Sequence, residues 1–217
     1  LIFLTAFSQG YSPGSMILDL PVQDGEGETS SEISYHLDEY HGPVRIRTAL
    51  ANMYTSAAEQ MMNIVGVNGV IRIGQSLGLK LSLPPDIQDP DIESWQVPLI
   101  DLTAAYGVLA YQGQKVGARV NTHKADGNGV DLQPEILFEV EDNNRRLVYR
   151  YNAERSAVVS PQLTYLLNDI LRDEPARWPL YGTGNPFEVG RPTAAIAGMS
   201  IDNKVAWAIG YSPSIAV

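Results

Sequence analysis

Residues 191–217 read RPTAAIAGMSIDNKVAWAIGYSPSIAV and decide the fold of this chain. Small, uncharged residues over 193–198 are followed by a polar segment at 202–204, and β-branched and aromatic residues then run over 205–211. Two strand-forming runs separated by a short polar segment predict a β-hairpin. The first of these strands carries no charge and almost no side-chain volume, so it offers a ligand little besides its backbone.

Upstream of this hairpin, helical and strand-like patterns alternate. Apolar residues spaced three and four apart predict helices over 1–9, 44–64, 69–77, 99–112 and, after the capping pair Ser160 and Pro161, 161–171. Alternating patterns predict strands over 116–120 and 136–151, with turns at 126–129 (DGNG) and 141–144 (EDNN). The polar segments near 21–40 and 83–98 are predicted to be loop insertions. This order predicts a single α+β domain over 1–217.

Composition excludes several functional classes. The 217 residues carry a formal charge of −10, so the clustered cations that bind nucleic acid are absent. There is no cysteine, which rules out disulfides and thiolate metal sites. No apolar run approaches the roughly 20 residues that span a bilayer. The opening LIFLTAF is short for a signal peptide and lacks a basic flank, and its start inside a helical pattern predicts a piece of a longer protein.

Four segments, in this order, resemble the transpeptidase domain of class A (bifunctional) penicillin-binding proteins. They are GPVRIRTALANMYTSAAEQMMNIVGV (42–67), VPLIDLTAAYGVLAYQGQKV (97–116), VVSPQLTYLLNDILRD (158–173) and GRPTAAIAGMSIDNKVAWAIGYSP (190–213). The resemblance implies the penicillin-binding-protein/β-lactamase-like fold, with a helical part and a partial antiparallel sheet. It also implies a serine-type D,D-transpeptidase of peptidoglycan synthesis, placed outside the cytoplasmic membrane, with an upstream glycosyltransferase domain and membrane anchor.

The chemistry of this family rests on three motifs. In S-x-x-K, one helical turn places a lysine amine beside the nucleophilic serine, whose proton it takes. In S-x-N, a hydroxyl and an amide carry protons and hold the peptide group of the substrate. In K-T-G, an exposed strand pairs with the substrate backbone, the lysine attracts the carboxylate, and the glycine allows close approach.

None of these motifs occurs in the chain. The resemblance puts S-x-x-K just upstream of Leu1, because residues 1–21 are similar to the segment that follows this motif. It puts S-x-N at Met53, Tyr54 and Thr55. It puts K-T-G at Ile196, Ala197 and Gly198, which Met199 follows. Only the glycine is retained. Loss of the lysine at Ile196 removes a charge-assisted contact of about 1.5–3 kcal/mol, roughly ten- to a hundredfold in binding.

Two interpretations of these replacements stay open. Met53 and Thr55 are explained by ordinary packing, and Ile196 and Met199 by apolar filling of the former groove. Alternatively, they reshape the pocket for another ligand. The functional hypotheses are accordingly a degenerate domain that binds wall peptides or partner proteins, an active transpeptidase whose serine lies upstream, and a regulatory module that binds a non-peptide ligand.

Other candidate sites are weaker. His36, His41, Asp38 and Glu39 could suggest a metal, but their loop lacks a framework to fix ligand geometry, and no metal or cofactor is predicted. Residues 126–131 lack the acidic residue that completes a calcium loop. Ser200 and Ser212 have no base at suitable spacing. Trp207 and Tyr211 are predicted to pack the hairpin against a helix. The hairpin is predicted to have an exposed edge, open to strand-mediated self-association.

Overall fold

The computed structural model describes residues 1–21, 40–81, 97–120, 131–199 and 206–217. The helices in these ranges are α1 Ile2–Ser8, α2 Ile46–Ala51, α3 Thr55–Val65, α4 Val67–Ser76, α5 Leu99–Ala110, α6 Pro161–Leu171 and α7 Glu174–Tyr181. The strands are β1 Met16–Asp19, β2 Gly42–Arg45, β3 Gln114–Val120, β4 Asp131–Gln133, β5 Glu139–Glu141, β6 Leu147–Arg150, β7 Glu154–Ala157, β8 Ala194–Met199, β9 Ala206–Ser212 and β10 Ile215–Ala216. None of the described helices has both the length and the apolar composition that a membrane span requires.

The hydrophobic core is built around α1, which is apolar on nearly all sides and packs against α3, α4 and α6. Five consecutive residues of α1, from Phe3 to Phe7, are buried. The helix ends in a Schellman motif, in which Gly10 at φ +98° lets its own N–H bond the Phe7 carbonyl and the Tyr11 N–H bond the Ala6 carbonyl. The predicted helix over 1–9 is therefore confirmed.

The terminal hairpin is confirmed, and it gains a strand that the sequence did not suggest. Strand β8 pairs antiparallel with β9, placing Ile196 opposite Ile209 and Gly198 opposite Trp207. The short β10 pairs with the far side of β9, giving the order β10-β9-β8. Helices α5 and α6 pack on this sheet. The polar turn at 202–204 lies outside the described residues. Separate antiparallel groups, β1-β2, β4-β3-β7 and β5-β6, complete an α+β architecture.

The prediction of one helix over 44–64 is wrong. Residues 42–45 form β2, which pairs with β1, and the helical part is divided into α2 and α3. The division occurs because Met53 adopts φ +56°, a left-handed conformation that a continuous helix excludes. Its neighbour Asn52 turns its side-chain amide to the carbonyls of Thr48 and Ala176. The helix is thus interrupted at the position where the resemblance puts the second motif.

Capping explains the helices on the C-terminal side. The Ser160 hydroxyl accepts a bond from the Leu163 N–H at 3.4 Å, so the predicted start of α6 is confirmed. Helix α7 was not predicted, although Asp173 caps it by accepting from the Ala176 N–H at 3.3 Å, with Pro175 in its first turn.

The predicted strand over 136–151 is the β5-β6 hairpin, turning at 142–146. The DGNG turn and most of both loop insertions lie outside the described residues.

Candidate functional site

The segments that resemble the second and third motifs approach each other through a tyrosine of α7. Met53 lies at the junction of α2 and α3, and Ala197 lies in the middle of β8. The Tyr181 hydroxyl donates to the Met53 sulfur at 3.1 Å and accepts a hydrogen bond from the Ala197 backbone N–H. The space between the two motif positions is therefore occupied by a side chain of the protein itself.

A second residue of α7, one turn earlier, contacts the same strand. The Arg177 Nη1 donates to the carbonyl of Ala195 at 3.3 Å and to that of Leu171 at 2.6 Å. Residues 195 and 197 point their backbone groups to the same side of β8, because alternate residues of an edge strand face away from the paired strand. Arg177 and Tyr181 are four residues apart on one helical face, so α7 engages two successive outward positions of β8.

An aromatic ring and a charged side chain lie close to Tyr181. Its ring meets Phe187 edge-on at 5.1 Å, and the Arg177 guanidinium lies 6.0 Å from the centre of the Phe187 ring. Burial raises the pKa of Tyr181, while the Ala197 N–H and the Arg177 charge act in the opposite direction. The hydroxyl therefore stays protonated at neutral pH and can donate to Met53.

Asn52 holds α7 in this position. Its amide nitrogen donates to the Ala176 carbonyl at 2.9 Å, and its amide oxygen accepts from the Leu180 N–H at 3.1 Å. Ala176 and Leu180 would bond each other in an uninterrupted helix, so the Asn52 side chain is inserted into the hydrogen-bond ladder of α7. This insertion accompanies Pro179, which lies inside the helix and lacks an N–H.

The remaining motif positions contribute no charge. Ile196 is partly buried against the hydrophobic core, which fits the interpretation that it fills the groove. Ala197 and Gly198 are also partly buried, and Thr55 is exposed at the start of α3. Met199 belongs to β8, and its side chain lies outside the described part of the chain.

Tyr54, the middle residue of the second motif segment, stacks on His41 with ring centres 4.0 Å apart. The Nδ1 of His41 lies 2.8 Å from the buried carboxylate of Asp19. His36, Asp38 and Glu39 fall in the segment 22–39, outside the described residues. Among the residues that are described, no group of three potential metal ligands occurs.

The two aromatic residues singled out in the hairpin, Tyr211 and Trp207, differ in burial. Tyr211 is buried, and its hydroxyl donates to the Asn168 side chain of α6 at 2.7 Å, so its predicted packing against a helix is confirmed. Trp207 lies near the start of β9 and is 45% exposed, so its packing against a helix stays a prediction. Ser212 follows Tyr211 near the end of β9, and Ser200 is outside the described residues.

An ion-pair network ties α2 to α6 and α7. Arg47 reaches the Asp169 carboxylate at 2.9 Å and the Asp173 carboxylate at 2.6 Å. The hydrogen bond from Arg47 lowers the pKa of Asp169; burial opposes this effect, and Arg172 adds to the lowering. The network fixes the helix that precedes Met53 relative to the helix that carries Tyr181.

The pKa of Asp169 predicts a pH-dependent stability. Because the folded-state pKa is lowered, the stabilisation is complete above the unfolded value, 3.8, and is lost as pH falls through the folded value. We expect D169N to lower the free energy of unfolding by about 1 kcal/mol at pH 6 and by clearly less at pH 3. Urea unfolding at both pH values measures this difference. The exposed Glu141 provides the control E141Q; an effect of D169N that is equal at both pH values would contradict the expectation.

Comparisons with known proteins agree on one family. The chain is 28% identical over 219 residues to penicillin-binding protein 1A of Aquifex aeolicus, covering 99% of this chain and 27% of that protein. It is 21% identical over 238 residues to penicillin-binding protein 1A of Rickettsia bellii, covering all of this chain and 28% of that protein. It thus spans about a quarter of the length of these relatives. No family model matches the sequence.

Solved structures agree on the fold. The penicillin-binding protein PonA1 from Mycobacterium tuberculosis superposes with a TM-score of 0.71 at 18% identity, covering 98% of this chain and 55% of that one. Penicillin-binding protein 1A from Haemophilus influenzae gives 0.69 at 17% identity, covering 97% of this chain and 34% of that one. The chain therefore has the transpeptidase fold of penicillin-binding proteins and resembles, along its whole length, penicillin-binding protein 1A of class A.

Proposed function

We propose that this domain does not carry out acyl transfer and instead acts by binding, as a scaffold or weak receptor for peptidoglycan stem peptides or cell-wall proteins. It would do so as one part of a larger peptidoglycan-synthesis protein that is membrane-anchored and placed outside the cytoplasmic membrane. The relatives link this domain to penicillin-binding proteins, and the residues at its motif positions argue against acyl transfer.

The observation that carries the proposal is the position of the Tyr181 hydroxyl. It bonds the sulfur of Met53 on one side and the N–H of Ala197 on the other. In the mechanism that the resemblance implies, these positions hold a serine hydroxyl and a threonine, between which the substrate lies. A thioether offers no proton, and a methyl group offers no hydrogen bond. Residues of one catalytic unit fail together, so the combined loss argues against residual turnover.

The charge of the site supports the same conclusion. Ile196 replaces the cation that would attract a carboxylate. The nearest cation along the described part of α7 is Arg177, which is 1% exposed and directs its Nη1 to two backbone carbonyls. What β8 retains is a strand backbone, which suits a binding mode based on main-chain pairing.

Fluorescent penicillin tests this proposal on the full-length polypeptide that contains the chain. We expect no covalent, serine-dependent fluorescent band after denaturing electrophoresis, under conditions that label a working penicillin-binding protein run beside it. Heat-denatured polypeptide measures non-specific labelling. A band that is absent from the heated sample and lost on replacing one serine with alanine would show an active transpeptidase and contradict the proposal.

A cavity between α6 and strands β8 and β9 favours a second candidate, a regulatory module that binds a non-peptide ligand. It has a volume of about 720 Å³ and is lined by apolar groups that include Tyr165, Leu166 and Pro213. A thermal-shift screen with cell-wall fragments and small metabolites separates the candidates. Stabilisation by a metabolite unrelated to peptidoglycan favours this second function, whereas stabilisation by wall fragments favours the first.

A further inference from the structure

The outer edge of β8 is a position where a further strand could add. Among the described residues, no strand pairs with this edge, whereas β10 covers part of the opposite side of the sheet. Exposed edges pair readily with extended peptides, so proteins commonly protect them. The protection in this chain comes from a helix.

Side chains of α7 occupy the hydrogen-bonding groups that an added strand would use. Arg177 donates to the outward carbonyl of Ala195 at 3.3 Å, and Tyr181 accepts from the outward N–H of Ala197. An incoming strand would need both backbone groups, because pairing proceeds through alternate residues of the edge. Binding at this part of β8 and the observed position of Tyr181 are therefore mutually exclusive.

The last turn of α7 departs from regular helical hydrogen bonding. Pro179 removes one intrahelical hydrogen bond, and the Leu180 N–H bonds Asn52 in place of the helix backbone. Gly182 and Gly184 follow at φ +72° and +71°, and Trp178 and Leu180 are exposed. Displacing Tyr181 therefore breaks its bonds to Met53 and Ala197 and its ring contact with Phe187, but no regular helical hydrogen bond of Leu180.

While Tyr181 covers the edge of β8, the Arg177 side chain is incompletely hydrogen-bonded. Its Nε and Nη2 are buried and have no hydrogen-bond partner among the described residues. Buried donors without acceptors are costly and rare in native proteins. With Tyr181 in its observed position, two donors of Arg177 close to the edge of β8 therefore have no acceptor among the described residues.

We propose that α7 is an intramolecular cap that regulates the edge of β8, and that an extended peptide must displace Tyr181 before it can pair with this strand. The inference rests on the proposed function, in which the β8 backbone is the binding surface. The ligand is defined by its main chain, because the described side chains of β8 carry no charge to select its sequence.

Amide hydrogen exchange, measured by NMR on the full chain, tests the cap. Y181F removes the hydroxyl and keeps the ring that packs on Phe187. We expect the Ala197 amide to exchange about fivefold faster in this variant, the effect of losing one hydrogen bond. The amide of Ile209 in β9 should be unchanged. Y165F, at an exposed tyrosine of α6, is the matched control and should leave both amides unchanged.

The same samples are titrated with an acetylated, amidated tetra-alanine peptide as the probe. We expect shifts of the Ala197 and Met199 amide resonances at about fivefold lower peptide concentration in Y181F than in the unaltered chain. Equal peptide responses, or an unchanged Ala197 exchange rate, would overturn the proposal. Melting temperatures identify a folding defect, in which case R177M provides the second test of the edge. Penicillin labelling would contradict the proposed function and leave this exchange result standing, so the two proposals fail separately.

Discussion

Replacing Arg177 with alanine should lower the free energy of unfolding by about 3 kcal/mol, one of the two largest effects expected in this domain. The substitution removes a long side chain that is 1% exposed, and it leaves a void between α7 and β8. It also removes the donors of two backbone carbonyls, at Leu171 and Ala195. Urea unfolding followed by far-ultraviolet circular dichroism measures the change.

Methionine at the same position separates packing from charge. R177M keeps most of the buried volume and removes a desolvated guanidinium whose Nε and Nη2 have no partner among the described residues. Replacement of a buried charge by an apolar side chain of similar volume is often tolerated. We expect a loss of about 1 kcal/mol, because the two carbonyls still lose their donor. A loss equal to that of R177A would mean that the hydrogen bonds, and not the packing, dominate.

Replacing Asn52 with alanine should lower the free energy of unfolding by about 3 kcal/mol as well, since three hydrogen bonds contribute about 1 kcal/mol each. Asn52 is 2% exposed and bonds the carbonyls of Thr48 and Ala176 and the N–H of Leu180. The Ala176 and Leu180 groups cannot readily bond each other again, because Pro179 distorts this turn of α7. Urea unfolding measures the loss, and amide exchange of Leu180 reports whether the loss arises in α7.

Asn63 provides the control for this experiment. It lies exposed on α3, so N63A should change stability by no more than about 0.5 kcal/mol. Faster exchange at Leu180 in N52A, without a change in N63A, would link the loss to the last turn of α7. A destabilisation of N52A no larger than that of N63A would contradict the insertion of Asn52 into α7.

Much of the fold could be predicted because local patterns and tertiary contacts agree. The apolar spacing of α5 and α6 matches the faces that pack on the sheet, and Ser160 caps α6 as its sequence suggests. The bare first strand of the hairpin was also recognisable, since a polar segment of the sequence separates it from the second strand. In these elements the sequence pattern is itself the cause of the structure.

The region around Tyr181 could not be predicted in the same way. The break at Met53 depends on Asn52 bonding a helix more than a hundred residues further along the chain. Helix α7 is rich in proline and short of apolar periodicity, although the pair Asp173 and Pro175 repeats the capping pattern of α6. The contact of Tyr181 with β8 is a tertiary arrangement that no local pattern encodes. The motif losses were visible in the sequence, and the side chain occupying their place was not.

The most direct test of the account is a crystal structure of the full-length polypeptide soaked with a β-lactam. We predict that the Tyr181 hydroxyl lies within hydrogen-bonding distance of both the Met53 sulfur and the Ala197 N–H, with no antibiotic joined to a serine. A β-lactam covalently bound to a serine, with Ile196 lining the occupied cleft and Tyr181 displaced from β8, would contradict it.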